Sequence, residues 1–280
     1  MKQILTVDIG GTKTRLVWFD GQISNISDTF VAPVLNETEF PTPPDPDELV
    51  NTIFNKIYEN SSDEAELTVI SIASRGMISD DSENITDNLL NMSDFPMVAK
   101  IQAKLPYTKV FLGNDAKCGT LGAFPADFKG RGLYLAIGTG IGGGMMINGD
   151  LSHELRDMEI GKIKILRDGL LQKWEDFASG TGFAKKNGCH GEQVPAGDSA
   201  WRQYADDLVV GIMIATPILY PDKIVIGGGF SDNFAKFAPA LFEILQDTDF
   251  SPEIVAVQDH HHVVNRGALT FALKNWNSRP

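Results

Sequence analysis

The feature that most constrains the fold of this chain is a repeat of its own opening segment. Residues 6–21 align without a gap with residues 134–149, so that Gly10 falls on Gly138. Each copy reads as an apolar strand, a glycine–threonine turn, a second strand and a closing Asp-Gly or Asn-Gly turn. Such a repeat predicts two related sheets that face each other across a cleft, unless two glycine-rich hairpins are alike by chance. We adopt the first interpretation.

The rest of the chain alternates helical and strand patterns, which predicts an α/β protein. In chain order the segments are a helix over 46–60, strands over 67–73 and 109–113, helices over 115–124 and 199–220, strands over 223–226 and 254–257, and a helix over 266–276. The length of 280 residues suits two lobes. We predict a first lobe from residues 1–114 plus 265–280 and a second lobe from residues 115–264.

Composition restricts the partners and the compartment. The net charge of −13 repels nucleic-acid backbones, so we expect no nucleic-acid partner. The two cysteines, Cys118 and Cys189, cannot build a disulfide framework and indicate a reducing compartment. The first residues carry no signal-peptide pattern, and no apolar run reaches the length of about 18 residues that a membrane span needs. We therefore expect a cytoplasmic protein with no membrane partner.

Three glycine turns are candidates for holding phosphate groups. Residues 138–143 match a dinucleotide fingerprint, but residues 144–149 predict a strand and a hairpin where that site needs a helix. The Walker pattern is also absent, since Lys13 follows Thr12. What remains are glycine turns at 10–12, 138–140 and 227–229, whose backbone N–H groups can point at phosphate oxygens. Any one of these turns, taken alone, could instead be a tight bend that binds no phosphate.

Several ordered motifs are similar to those of the ROK sugar-kinase family (repressor, open reading frame, kinase) of the actin-like ATPase superfamily. They cover nearly the whole chain and are Asp8-Ile-Gly-Gly-Thr-Lys-Thr-Arg15, Gly113-Asn-Asp-Ala116, Ile137-Gly-Thr-Gly-Ile-Gly-Gly-Gly144, Glu159-Ile-Gly161, Glu175-Asp-Phe-Ala-Ser-Gly180 and Ile226-Gly-Gly-Gly229. The resemblance implies two ribonuclease-H-like lobes with a central cleft, and ATP and Mg²⁺ as cofactors.

The same resemblance assigns residues to the nucleotide and to a sugar. The residues expected to bind the nucleotide are Asp8, Gly10, Gly11, Thr12, Lys13, Gly138, Thr139, Gly140, Gly227, Gly228 and Gly229, with Asp8 holding Mg²⁺ through water. The residues expected to bind the sugar are Gly76, Asn114, Asp115, Glu159, Lys162 and Glu175. Asp115 is the expected catalytic base.

The chain departs from the family pattern at three places. Lys162 stands where the family often has a histidine that serves the sugar and a zinc ion, and residues 169–174 lack the family's cysteine cluster, so we predict no zinc site. Lys162 either donates to a sugar hydroxyl or pairs with a neighbouring carboxylate. Arg75 replaces the proline of the family's Pro-Gly sugar loop, which leaves the identity of the sugar open.

The proposed acidic residues each have an ordinary alternative role. Asp115 begins a predicted helix, whose N-terminus favours its ionised form, but an aspartate there can also be a plain cap. Glu159 and Glu175 could be surface carboxylates, although apolar neighbours such as Trp174 and Phe177 indicate partial burial.

These observations predict ATP-dependent phosphorylation of a hexose, at the 6-hydroxyl. Alternatives are an N-acylated amino sugar such as N-acetylmannosamine as acceptor, polyphosphate as donor, or a weakly active sugar-binding relative. A family repressor would carry an N-terminal helix-turn-helix, for which a first strand beginning near residue 3 leaves no room. Whether the chain forms a homodimer is left open.

Overall fold

The computed structural model describes residues 2–60, 66–167, 169–246, 248 and 252–276. The strands are β1 (Lys2–Ile9), β2 (Lys13–Asp20), β3 (Asn36–Pro41), β4 (Glu66–Ser74), β5 (Met77–Ile78), β6 (Ile85–Asp87), β7 (Met92–Phe95), β8 (Lys109–Asn114), β9 (Arg131–Ile137), β10 (Ile141–Ile147), β11 (Asp150–Leu151), β12 (Lys164–Arg167), β13 (Leu170–Lys173), β14 (Lys223–Gly227) and β15 (Glu253–Ala256). The helices are α1 (Ile26–Thr29), α2 (Pro46–Asn60), α3 (Met97–Gln102), α4 (Asp115–Ala123), α5 (Trp174–Ala178), α6 (Gly180–Asn187), α7 (Ser199–Leu219), α8 (Phe234–Leu245) and α9 (Val263–Lys274).

The chain divides into two compact units, residues 1–127 with 262–280 and residues 128–261. This division differs from the predicted lobe boundaries at 114/115 and 264/265. The difference concerns α4, which the prediction placed in the second lobe. In the structure α4 lies in the first unit because it crosses α9 with almost no separation between the two backbones.

The first unit is built on a sheet of order β3-β2-β1-β4-β8. Strands β1, β4 and β8 are parallel, while β2 and β3 run antiparallel to their neighbours. Both faces of β1 are buried, since Leu5 and Val7 pack in the apolar cluster with residues of α2 and α3, whereas Ile4 packs in the cluster with Leu269 of α9. Helices on both faces explain why the central strands are almost entirely apolar.

The second unit repeats this arrangement in a sheet of order β11-β10-β9-β14-β15. Here β9, β14 and β15 are parallel and the hairpin partners β10 and β11 are antiparallel. An aromatic cluster joins α6, α7 and α8 over the sheet, with the Phe183 and Trp201 rings stacked at 4.8 Å between centroids and Tyr204 edge-on to Phe237 at 5.0 Å.

The matching strand orders confirm the predicted α/β fold with two related sheets. The two opening hairpins differ by one residue in the turn. Ile9 pairs with Thr14 across the first turn, whereas Ile137 pairs with Ile141 across the second, so the gapless alignment slips by one residue after the turn. In the part of the chain that the structure describes, no helix is both long and apolar enough to cross a membrane.

Candidate active site

The carboxyl ends of the three parallel strands of the first unit meet along one edge of its sheet. Ile9 at the end of β1 is in register with Ser74 at the end of β4. Ser74 is in turn in register with Asn114 at the end of β8. The segments that follow these strands therefore emerge side by side. They are the first glycine turn, the Arg75–Gly76 loop and the N-terminus of α4, and ligands of open α/β sheets bind at such edges.

Asn114 links two of these segments. Its Oδ1 accepts hydrogen bonds from the Ala116 and Lys117 amides at 3.1 and 3.2 Å, and its Nδ2 donates to the Gly76 carbonyl at 3.1 Å. Asn114 is thus the N-cap of α4, the role that sequence reasoning considered for Asp115. The cap places Asp115 in the first turn of α4, where its Oδ1 accepts from the Ala116 amide at 2.7 Å.

Asp8 and Asp115 carry interacting carboxyl groups at this edge. The pKa of Asp8 is raised to about 7, mainly by burial and also by the charge of Asp115, while the charge of Arg15 opposes the rise. Arg15 faces Asp8 across the β1–β2 pair. Burial also raises the pKa of Asp115, against the opposing effects of the Ala116 amide and the Arg75 charge. Two carboxyl groups with raised pKa values attract a cation or a proton to this edge.

The first glycine turn is held by bonds from two sides. The Gly10 amide donates to the Lys13 carbonyl at 3.1 Å, and the Thr42 hydroxyl donates to the Gly10 carbonyl at 2.9 Å. Thr12 is exposed, and Lys13 points to Glu39, with 3.2 Å between Nζ and Oε1. The turn therefore presents Thr12 to solvent while its ends are fixed.

Arg75 lies over this turn. A Cβ added to Gly11 would come within 2.5 Å of the Arg75 Nη1, so only a glycine allows the guanidinium to approach the turn backbone so closely. The Arg75 Nε donates to the Asp87 Oδ2 at 2.7 Å. Sequence reasoning noticed Arg75 only as a missing proline and gave no role to Asp87.

The second unit brings its own glycine turns together at the corresponding edge. The Gly180 amide, at the start of α6, donates to the Gly138 carbonyl at 2.9 Å. Gly228 has a φ of 79° and no room for a side chain, because a Cβ would meet the backbone of Ile137. The 138–140 turn, the 227–229 turn and the N-terminus of α6 are thus neighbours. A helix N-terminus next to glycine turns is a favourable environment for an anion.

Glu175 lies at the second glycine turn. Its Oε2 would be 2.7 Å from a Cβ added to Gly140, and it accepts from the Ile141 amide at 3.4 Å. The side chain is 23% exposed, which agrees with the partial burial expected from its apolar neighbours. Trp174 anchors this position, since it is fully buried and its Nε1 donates to the Asp207 carbonyl at 3.3 Å.

Glu159 and Lys162 pair with each other at the surface. The Lys162 Nζ and the Glu159 Oε2 are 3.1 Å apart, and both side chains are more than half exposed. Of the two roles left open for Lys162, the structure shows the ion pair with a carboxylate. Gly161 between them packs directly on Ile141, so this segment lies beside the second glycine turn and Glu175.

The structure thus brings the predicted residues together in two groups, one in each unit. The first group comprises Asp8, Gly10, Gly11, Thr12, Lys13, Gly76, Asn114 and Asp115, and the second comprises Gly138, Thr139, Gly140, Glu159, Lys162, Glu175, Gly227, Gly228 and Gly229. Their roles stay predictions. Sequence reasoning assigned no role to Asp87 or to Arg15, although Arg15 ends the first family motif. The position of Arg15 opposite Asp8 follows from the register of β1 and β2.

Comparison with known proteins identifies the family. A family model described as "ROK family" matches residues 4–274. This chain belongs to the ROK family. The match spans all the motifs of both groups, so the resemblance noted in the sequence is confirmed.

Relatives within the ROK family include sugar kinases. The chain is 24% identical over 271 residues to a glucokinase of Streptomyces coelicolor, covering 81% of each chain. It is 25% identical over 264 residues to an N-acetyl-D-glucosamine kinase of Pectobacterium carotovorum, covering 80% of this chain and 83% of that one. A solved ROK glucokinase of Streptomyces griseus, in complex with glucose and AMPPNP, has the same fold, with a TM-score of 0.80, 20% identity, and coverage of 97% of this chain and 99% of that chain.

Proposed function

We propose that this ROK protein is an ATP-dependent sugar kinase that phosphorylates a hexose hydroxyl with Asp115 as general base. The observation that carries the proposal is the convergence of Asp115, Asp8 and the first glycine turn at one edge of a single sheet. The glucokinase and N-acetyl-D-glucosamine kinase relatives support the reaction class. The glucose and AMPPNP complex of the fold relative supports ATP as donor.

Asp115 is suited to accept the proton of the attacking hydroxyl. A base works best when its pKa lies closer to the working pH, and burial raises the pKa of Asp115 from its ordinary value. Because Asn114 caps α4, the Asp115 carboxylate is not required to hold the helix end. The transfer forms a bond between the sugar oxygen and the γ-phosphorus, breaks the bond to the β-phosphate oxygen, and leaves ADP.

The residues at the edge fit Mg²⁺. Carboxylate oxygen is the ligand type that this ion prefers. Burial and, after it, the negative charge of Asp115 raise the pKa of Asp8 to about 7, and a cation would relieve the repulsion between the two carboxylates. We propose that Asp8 holds Mg²⁺ through water. When bound, the ion neutralises charge on the β- and γ-phosphates.

The remaining residues are proposed to position the substrates. The N–H groups of the turns at 10–12 and 138–140 would bind phosphate oxygens, and the 227–229 turn would support the adenosine. Gly76 and Asn114 of the first unit, and Glu159 and Glu175 of the second, are each proposed to contact the sugar. Lys162 would donate to a hydroxyl only if its ion pair with Glu159 opens. Holding a hydroxyl in line with phosphorus can lower a barrier by about 7–11 kcal/mol.

A coupled ADP assay with separate sugars tests this proposal. The panel contains glucose, mannose, fructose, N-acetylglucosamine and N-acetylmannosamine, each with ATP and Mg²⁺. We expect ADP formation that depends on one or more sugars and yields the 6-phosphate when glucose is the acceptor. A preference for the N-acylated sugars would replace the hexose assignment, and ADP formation that no sugar stimulates would contradict the kinase proposal.

A further inference from the structure

The loop that carries Arg75 is built to hold that side chain in one place. Asp87 is almost completely buried, with its side chain 5% exposed, and its Oδ2 accepts from the Arg75 Nε at 2.7 Å. The other oxygen, Oδ1, accepts from the Leu89 and Leu90 amides at 2.8 and 3.0 Å. Both oxygens of Asp87 are therefore fixed, and the guanidinium is oriented by a rigid acceptor.

The backbone next to Arg75 supports the same geometry. Gly76 has a φ of 91°, and a Cβ there would meet the Thr86 carbonyl and the Asp87 side chain. The Gly76 carbonyl in turn accepts from Asn114, the residue that caps α4. The Arg75 loop is thus joined directly to the N-terminus of the helix that carries Asp115.

The held guanidinium faces the first glycine turn. The position of a Cβ on Gly11 lies 2.5 Å from Nη1 of Arg75 and 2.9 Å from Cδ2 of Leu89. The Arg75 side chain remains 31% exposed. Its positive charge also acts on Asp115, since it opposes the rise in the pKa of that carboxyl. A fixed, partly exposed arginine is therefore near both the phosphate turn and the proposed base.

The Arg75–Asp87 pair is partly buried, and a buried ion pair is weak evidence for a stabilising role because desolvation offsets much of its attraction. Its geometry suits a different purpose. The Nε of Arg75 is bound to Asp87, while Nη1 is directed to the turn where the terminal phosphate of a nucleotide would lie. A planar guanidinium matches the oxygens of a phosphoryl group better than an ammonium group does.

We propose that Arg75 contacts the phosphoryl group during its transfer and stabilises the charge that develops on its oxygens. The inference rests on the proposed kinase function and adds a catalytic residue to it. Asp87 acts through Arg75 and is a positioning residue. The arginine transfers no proton, and the proton of the sugar hydroxyl goes to Asp115.

Nucleotide binding separates this role from a structural one. We would measure the affinities of ADP and AMPPNP by titration calorimetry with Mg²⁺ present, because only AMPPNP carries a group at the γ position. For R75Q we expect AMPPNP binding to weaken about tenfold and ADP binding to stay within about twofold. The control K100Q removes an exposed charge that pairs with Asp47 and should change neither affinity.

Kinetics on an accepted sugar complete the test. R75Q should lower kcat about 10²–10³-fold, the loss seen when one donor to a developing charge is removed, with the sugar KM little changed. R75K should recover part of kcat, and D87N should lower kcat less than R75Q does. Thermal unfolding of each variant checks that it is folded.

Three results would overturn the inference. The first is equal weakening of ADP and AMPPNP binding by R75Q, and the second is an unchanged kcat. The third is a raised sugar KM with AMPPNP binding intact, which would mark Arg75 as a sugar ligand. If the wild-type protein phosphorylates no sugar, the proposed function fails instead. An active wild type with a fully active R75Q variant would refute only the role of Arg75.

Discussion

Two aspartates at one sheet edge have different environments and, we propose, different tasks. Asp8 is the last polar residue of β1 before the glycine turn, and it faces Arg15. Asp115 is the first residue of α4, and its carboxylate accepts a hydrogen bond from the Ala116 amide. Burial raises both pKa values, and each carboxyl group responds to different neighbouring charges. Such differences separate a group that holds a cation from a group that accepts a proton.

Replacing Asp115 by asparagine tests its role as base. D115N should lower kcat by about 10²–10⁴-fold, the usual contribution of general-base catalysis, while sugar binding persists because the size and polarity of the side chain are kept. The measurements are kcat in the coupled ADP assay and sugar affinity by calorimetry. D127N makes the same chemical change at an exposed position of the first unit and should be fully active. Normal turnover by D115N would show that the base is another group.

The raised pKa of Asp8 predicts how stability of the nucleotide-free, Mg²⁺-free protein depends on pH. The folded pKa is about 7 against an ordinary value of 3.8, so the folded state binds the proton more tightly than the unfolded state. The stabilising contribution of protonated Asp8 is complete below pH 3.8 and is lost as pH rises to about 7.

D8N removes this titration. Its melting temperature relative to wild type should therefore rise from pH 5 to pH 8, measured by thermal unfolding in chelator-treated buffer. D127N should show no such trend, because its carboxyl group is exposed. A difference between D8N and wild type that is the same at every pH would contradict the assigned pKa shift.

At the scale of elements, the crossing of α4 and α9 fixes the helix that carries Asp115. A Cβ on Gly122 would collide with the Val263 carbonyl, and a Cβ on Gly267 would collide with the Cys118 carbonyl. The Asn265 side chain donates to the Thr6 hydroxyl at 3.0 Å, which ties α9 to β1. Because backbone cannot move aside as a flexible side chain can, this crossing requires glycine on both helices.

Gly267→Ala should therefore destabilise the protein by about 1–3 kcal/mol or more, the cost of inserting a group into a closely packed contact. Urea unfolding measures the loss. Activity should fall as well, because a displaced α4 moves Asp115. Tyr58→Ala, at an exposed position of α2, should stay within about 0.5 kcal/mol of wild type. A G267A variant with wild-type stability would show that the helices can separate at no cost.

Sequence patterns predicted the long elements well and the short ones poorly. The helix predicted over 46–60 matches α2 residue for residue, and the predicted strand 223–226 falls within β14. The Asp-Gly turn that closes the first hairpin does not lead directly into a third strand, because residues 22–35 form α1 and connecting turns before β3 begins at Asn36. Strands β5 to β7 have two to four residues each, too few to show a period, although they carry Asp87.

Site residues could be predicted from the sequence where they lie close together along the chain. Asp8, Asp115 and the glycine turns lie in local motifs, so their identity is visible in the sequence. The Arg75–Asp87 bond joins residues twelve positions apart through a small irregular sheet, and the Gly180–Gly138 bond joins residues of different elements. Only the fold brings such residues together.

At the scale of the whole molecule, each unit repeats one design. In each sheet an antiparallel hairpin precedes two parallel strands, and glycine turns follow the carboxyl ends. We propose that the first unit supplies Asp8, Asp115 and Arg75, and that the second supplies the 138–140 and 227–229 turns and Glu175.

The central claim is that the γ-phosphoryl group of ATP passes to a sugar. Phosphorus NMR of the wild-type protein with ATP, Mg²⁺ and a pool of hexoses and N-acetylated hexosamines follows that group directly. If the protein is a sugar kinase, the γ-phosphate signal declines while the ADP and sugar-phosphate signals grow in equal amounts. A γ-phosphate signal that stays constant, or one that is converted only to inorganic phosphate, would contradict it.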